Sequence, residues 1–172
     1  MIPPMKPLSL LVPLLCLVSC SGYHIGVIKP AVMGNVRSIA VPMFSNASLH
    51  PRAEFLATSA VTNALVLDGT YQLARVDHAD AVLIGSLHSI KYTAIRNSRY
   101  DTMHPEELAN TVTLSWTLCD AKNRTKVLAS GISTGSSELY VGANLQTARN
   151  NALPDALERA ATALVARIAN GY

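Results

Sequence analysis

Residues 111–118 alternate without a break: Thr111-Val112-Thr113-Leu114-Ser115-Trp116-Thr117-Leu118. A period of two puts Val112, Leu114, Trp116 and Leu118 on one face of a strand and the hydroxyl side chains on the other. Further β-prone runs lie at 38–44 (Ser38-Ile39-Ala40-Val41-Pro42-Met43-Phe44), at 71–76, and at 81–92 with its apolar heart Ala81-Val82-Leu83-Ile84. Pro42 has no N–H to give a ladder and suits a sheet edge. A polar turn at 121–125 leads into another long strand over 126–140, while 96–105 is polar and irregular and reads as a loop. Two segments follow a helical period instead. Within 52–67, Leu56, Ala60, Ala64 and Leu67 recur at spacings of four, four and three. Within 146–170, Leu153, Leu157, Ala160, Leu164 and Ile168 recur at four, three, four and four. Pro51 marks the start of the first helix, Asp68-Gly69 its end, and Gly171 the end of the second. Two apolar helix stripes need one surface to cover, and a single sheet provides it. The expected fold is therefore α+β: a two-layer sandwich with two helices packed on one mainly antiparallel sheet of about four to five strands.

The first residues follow a different rule. Lys6 precedes an apolar run over 8–18, and small Ser19 closes it, the pattern of a secretory signal. The run is shorter than the roughly 20 apolar residues that span a bilayer. Leu17-Val18-Ser19-Cys20 resembles the bacterial lipobox, in which the cysteine is acylated and becomes the new N-terminus. The expected organisation is a cleaved lipoprotein signal peptide over 1–19, a lipidated N-terminus and tether over 20–36, and an α+β domain over 37–172. Several acyl chains on Cys20 would hold the protein firmly on a membrane, since one chain alone holds weakly. Ser21, where an Asp would mark retention at the inner membrane, points to the outer membrane. With Cys16 removed and Cys20 acylated, Cys119 is the one thiol left, and no intrachain disulfide can form. It reads as a small apolar residue near a strand end, and neighbouring Asp120 disfavours a reactive thiolate.

Composition narrows the function. The chain of 172 residues is 49% hydrophobic and 15% charged, which excludes disorder and leaves room for one ordinary domain. Its net charge of +3 is too small for a nucleic-acid binder.

Catalytic patterns are sparse. Gly131-Ile132-Ser133-Thr134-Gly135 satisfies G-x-S-x-G, yet that motif needs a strand, a sharp turn and a helix, and here Ser136-Ser137-Glu138-Leu139-Tyr140 continues a strand. His24, His50, His78, His88 and His104 are scattered without the spacing of a metal site. Asp77 and Asp80 flank His78, but a solvated turn explains them better than a cation. The expectation is no catalysis, no metal and no cofactor. Two cationic groups remain: Lys91, Arg96 and Arg99 at the end of the long strand and in the loop after it, and Arg124 with Lys126 in the later hairpin. Successive antiparallel connections alternate between sheet ends, so the two groups are expected at opposite ends. Solvated loop charge accounts for them, and so does capture of an anionic amphiphile, with Lys or Arg meeting phosphate.

Several segments together resemble the lipopolysaccharide-assembly lipoprotein family, LptE. They are Cys20-Ser21-Gly22-Tyr23-His24, Ser38 to Phe44 followed by Ser45-Asn46, Asp68-Gly69-Thr70-Tyr71-Gln72-Leu73, and Ala79-Asp80-Ala81-Val82-Leu83-Ile84-Gly85. The resemblance implies a non-catalytic lipoprotein on the periplasmic side of the outer membrane. Its implied partners are a β-barrel translocon, which it plugs and helps to assemble, and lipopolysaccharide. It matches Arg96 to a lipopolysaccharide-contacting position, with Lys91 and Arg99 beside it, and shows no second basic residue before the last helix, where Asn144 and Gln146 stand. The alternative is another outer-membrane lipoprotein that binds a periplasmic protein, such as a regulator of a cell-wall synthase.

Overall fold

The computed structural model describes residue 30 and residues 33–99 and 103–171, so the expected signal peptide over 1–19 and most of the expected tether over 20–36 lie outside the described residues. The chain runs β1 (Ser38–Ala40), β2 (Ser45–Asn46), α1 (Ala53–Asp68), β3 (Gln72–Leu73), β4 (Ala81–Asn97), β5 (Pro105–Asp120), β6 (Val127–Tyr140) and α2 (Leu145–Asn170). β4, β5 and β6 form a long antiparallel meander. Short parallel strands complete the sheet in the order β3-β1-β4-β5-β6, with β2 also on β4. Two helices on one open sheet is the expected architecture. The sheet has six strands because only 38–40 of the expected strand over 38–44 pairs, and Ser45–Asn46 just beyond it forms a strand of its own. Ile39 pairs with Ala81 and Asn46 with Leu87, both on the same edge of β4, and the stretch around Pro42 leaves the ladder between them. There Phe44 turns into the core and donates its N–H to Thr58 Oγ1 at 3.0 Å.

The period-two signal in β5 holds. Val112, Leu114, Trp116 and Leu118 are buried, and the intervening Thr and Ser side chains lie half-exposed on the face away from the helices. Cys119 is a buried free thiol one residue before the strand ends. The pairing of β4 with β5 runs further than the apolar pattern, so Arg96 lies in a strand opposite Glu107 rather than in a loop.

α2 keeps its expected stripe, with Leu153, Leu157, Ala160, Leu164 and Ile168 all buried. Asn144 Oδ1 caps it by accepting the Thr147 N–H at 3.0 Å. Gly135 of β6 lies directly beneath it: a Cβ there would meet the backbone of Ala156 and Ala160, so helix and strand approach at a distance that only glycine permits.

α1 departs from its expected stripe. Its buried residues are Ala53, Ala57, Ala60, Val61 and Leu65, while Leu56 is 40% and Leu67 86% exposed. The helix has only Glu54 and Asp68 as charges, so almost any face reads as apolar. The close fit of its alanines to the sheet and α2 selects the face. Gly69, at φ 71°, ends it by donating its N–H to Leu65 O at 3.1 Å.

Both helices run in the same direction. His50, just before α1, contacts Asn150 in the early turns of α2, and Tyr71, just after α1, donates to Ile168 O at 3.3 Å. The molecule therefore has two poles. The near pole holds Pro30, the start of β1, residues 69–81, the β5–β6 hairpin and the end of α2. The far pole holds the starts of both helices and the outer halves of the long strands. The two cationic groups lie at opposite poles, as antiparallel alternation requires.

Candidate functional site at the far pole

Three sequence candidates lie at the far pole, and the fold does not gather them into one site. Lys91 stands opposite Thr111 and Arg96 opposite Glu107, both on the face away from the helices. Four residues of β5 separate those positions, about 14 Å at 3.4 Å per residue. Arg99 lies exposed beyond the end of β4. Arg96 reaches Glu107 at 3.5 Å and Glu106 at 3.9 Å, with its guanidinium 5.9 Å from the centre of the Tyr140 ring. Arg96 and Glu106 are exposed, so that pair contributes little stability, whereas the Glu107 side chain is largely shielded from water.

Through the sheet, on the helix side, lies a cavity of about 300 Å³ lined by Leu49, His50, Pro51, Ile90, Tyr92, Gln146 and Arg149. The Arg149 guanidinium stacks on Tyr92, 4.5 Å from the ring centre. Arg149 Nε and the Tyr92 hydroxyl are both buried, and neither has a hydrogen-bond partner among the described residues. Burial raises the Tyr92 pKa, against a smaller lowering by Arg149, so the phenol stays a donor. Behind it, opposite Tyr92 in β5, Asn110 is fully buried. Its Nδ2 donates to Ser137 Oγ at 3.5 Å, Ser137 donates on to Ala152 O at 2.7 Å, and Asn110 Oδ1 is left without a partner. An arginine, a phenol donor and apolar walls around one cavity suit an anionic group carried on an apolar body.

Arg149 is a candidate cation inside the last helix, where the sequence offered none ahead of it. Its signal was present: counting four back from Leu153 along the buried stripe lands on Arg149, a charge where an apolar residue is expected.

The other motifs have structural roles. Ser133 is buried, and its Oγ accepts the Trp116 indole N–H at 3.1 Å. Gly131 makes room for the Trp116 ring and Gly135 for α2, which accounts for all three defined positions of G-x-S-x-G. Asp80 Oδ2 accepts from Arg37 N, Ser38 N and Ser38 Oγ, each at 3.0 Å, clipping the start of β1 to the start of β4. Those backbone N–H groups, with the Ser38 hydroxyl, hold its carboxyl below the usual range. No group of three or more metal-ligating side chains occurs among the described residues.

The fold defines a class of small α+β proteins with two parallel helices on one face of an open sheet. Residues 36–168 match the lipopolysaccharide-assembly family LptE, and the chain belongs to that family of non-catalytic envelope lipoproteins. No curated protein matches it in sequence. Similar solved structures include a hypothetical protein of Chlamydia trachomatis (12% identity, TM-score 0.55, covering 80% of this chain and 97% of that one). A minor lipoprotein of Acinetobacter baumannii shares 9% identity at a TM-score of 0.53, covering 79% and 94%. A protein of Xanthomonas campestris shares 18% at 0.51, covering 76% and 81%. At such identities the likeness is one of fold.

Proposed function

We propose that this protein is an outer-membrane lipoprotein held on the periplasmic side by acyl chains on Cys20. It plugs and helps to assemble the β-barrel lipopolysaccharide translocon and takes part in delivering lipopolysaccharide to the cell surface. The observation that carries this reading is the family match across 36–168, which spans both helices and the whole sheet. The far pole suits the lipopolysaccharide contact: Arg149 offers a guanidinium without a carboxylate partner beside an apolar cavity, and Lys91, Arg96 and Arg99 extend positive charge onto the opposite face. Arg96 must release Glu107 to serve, so Arg149 is the stronger contact of the two. Catalysis has no part in this reading, because the one serine in a catalytic-looking motif is occupied by Trp116.

The test is affinity purification of the tagged, lipidated protein from detergent-solubilised outer membranes, with companions identified by mass spectrometry, alongside depletion in cells. One large β-barrel at near one-to-one stoichiometry, and loss of surface lipopolysaccharide on depletion, are expected. Recovery of a cell-wall enzyme with no barrel, or an unchanged cell surface, would overturn the proposal.

A further inference from the structure

We propose that the β5–β6 hairpin at the near pole rests on an anionic phospholipid surface, so that the protein meets its membrane through a protein contact as well as through its acyl chains. The inference rests on the reading that Cys20 is the anchor.

Residues 122–127 of the hairpin are all exposed and contain Lys122, Arg124 and Lys126, with Val127 53% exposed at their foot. Asp120 is the one acid in the hairpin, and it is engaged in building the turn. Its Oδ1 accepts the N–H groups of Lys122 and Asn123 at 2.9 and 3.2 Å, and Oδ2 lies 3.9 Å from Lys126 Nζ. Asn123 Oδ1 in turn accepts from the N–H and hydroxyl of Thr125 at 3.2 and 2.6 Å. The tip is thus preorganised, and Lys122 and Arg124 have no carboxylate within ion-pair distance among the described residues. Neighbouring acids are committed elsewhere: Asp80 to the start of β1, and Asp77 to Arg75 at 3.5 Å. Arg37 and Arg167 add positive charge at the same pole.

The chain's own geometry identifies the occupant. Pro30, where the described chain begins, lines one depression together with Leu128, Ala129 and Ser130, the root of this hairpin. Ten residues separate Cys20 from Pro30 and span at most about 35 Å. From Leu128 to Arg124 is four residues, at most about 14 Å of chain. A surface that holds Cys20 is therefore always within reach of the tip. Tethering raises the local concentration of headgroups so far that weak charge contacts suffice. Each Lys or Arg near an anionic leaflet strengthens binding by about fivefold, and salt screens the effect.

The test uses the full chain with Cys20→Ser, which removes acylation, sedimented with vesicles. It is expected to bind phosphatidylethanolamine vesicles containing phosphatidylglycerol at low salt, to leave phosphatidylcholine vesicles unbound, and to release in high salt. Lys122→Gln with Arg124→Gln should weaken binding by about 25-fold, whereas Arg52→Gln with Arg159→Gln, two exposed cations away from the near pole, should not change it. Equal binding to both vesicle types, no binding, or an unchanged near-pole variant would overturn the proposal. So would a near-pole variant that keeps its vesicle binding and loses a co-purifying protein, since the hairpin would then meet an acidic protein. The mass of the wild-type N-terminal peptide reports acylation independently, so failure of the anchor is distinguishable from failure of the hairpin contact.

Discussion

The two poles use charge in opposite ways. At the near pole, carboxylates build the fold: Asp80 joins β1 to β4 and Asp120 shapes the hairpin, which leaves Lys122 and Arg124 facing solvent. At the far pole, Glu106 and Glu107 pair with the exposed Arg96, while the half-buried Arg149 keeps an unpartnered Nε against Tyr92. Buried donors without partners cost stability, and a bound ligand or water at the cavity would supply what is missing. The near pole thus commits its carboxylates to structure and leaves cations exposed, with only Thr70 Oγ1 buried and unpartnered among its described residues, while the far pole gathers three such atoms, on Tyr92, Asn110 and Arg149, around a cavity.

The most disruptive change falls between the poles, where α2 bridges them. Gly135→Val would drive a side chain into the backbone of Ala156 and Ala160 and should cost about 3 kcal/mol or more, read as loss of cooperative thermal unfolding. Asp80→Ala removes three hydrogen bonds but from an exposed carboxylate, so the expected loss is about 1 kcal/mol in denaturant unfolding. Its pH dependence has a definite sign. Because the folded carboxyl titrates below its unfolded value, its contribution is fully present above the ordinary carboxylate range and is lost as pH falls through the lowered folded value. Wild type and Asp80→Ala should therefore differ in melting temperature at neutral pH and converge in strong acid; a gap that persists there would remove the clip from the account.

Arg149→Met should move stability the other way, raising it by up to about 1 kcal/mol, because an apolar side chain of similar length replaces an unpaired donor. If lipopolysaccharide binding by the purified protein survives that change, the far-pole cavity is not the contact. Arg96→Ala should shift unfolding by about 0.5 kcal/mol or less, since the guanidinium itself stands in water, although Glu107 is largely shielded from it. A larger loss would make the far pole structural too and erase the contrast.

Local pattern determined the central elements. Alternation in β5 specified its face, because a strand turns its side chains through half a circle per residue and no neighbour can alter that. The stripe of α2 specified its buried side equally well, since polar residues such as Arg159 and Glu158 exclude the other faces. The stop at Gly69 was legible because a left-handed residue ends a helix whatever surrounds it. Tertiary structure decided what depended on partners distant in sequence. The buried face of α1 was chosen by alanine-thin contacts, since a helix with two charges offers no periodic contrast. Strand pairing carried Arg96 out of its expected loop because Glu107 lies opposite it. Arg149 became a site only when parallel packing of the helices brought Leu49, His50 and Pro51 beside Tyr92. The juxtaposition of Pro30 with the basic hairpin required the whole sheet to fold, because sequence patterns report which way a side chain faces and only packing decides what it meets.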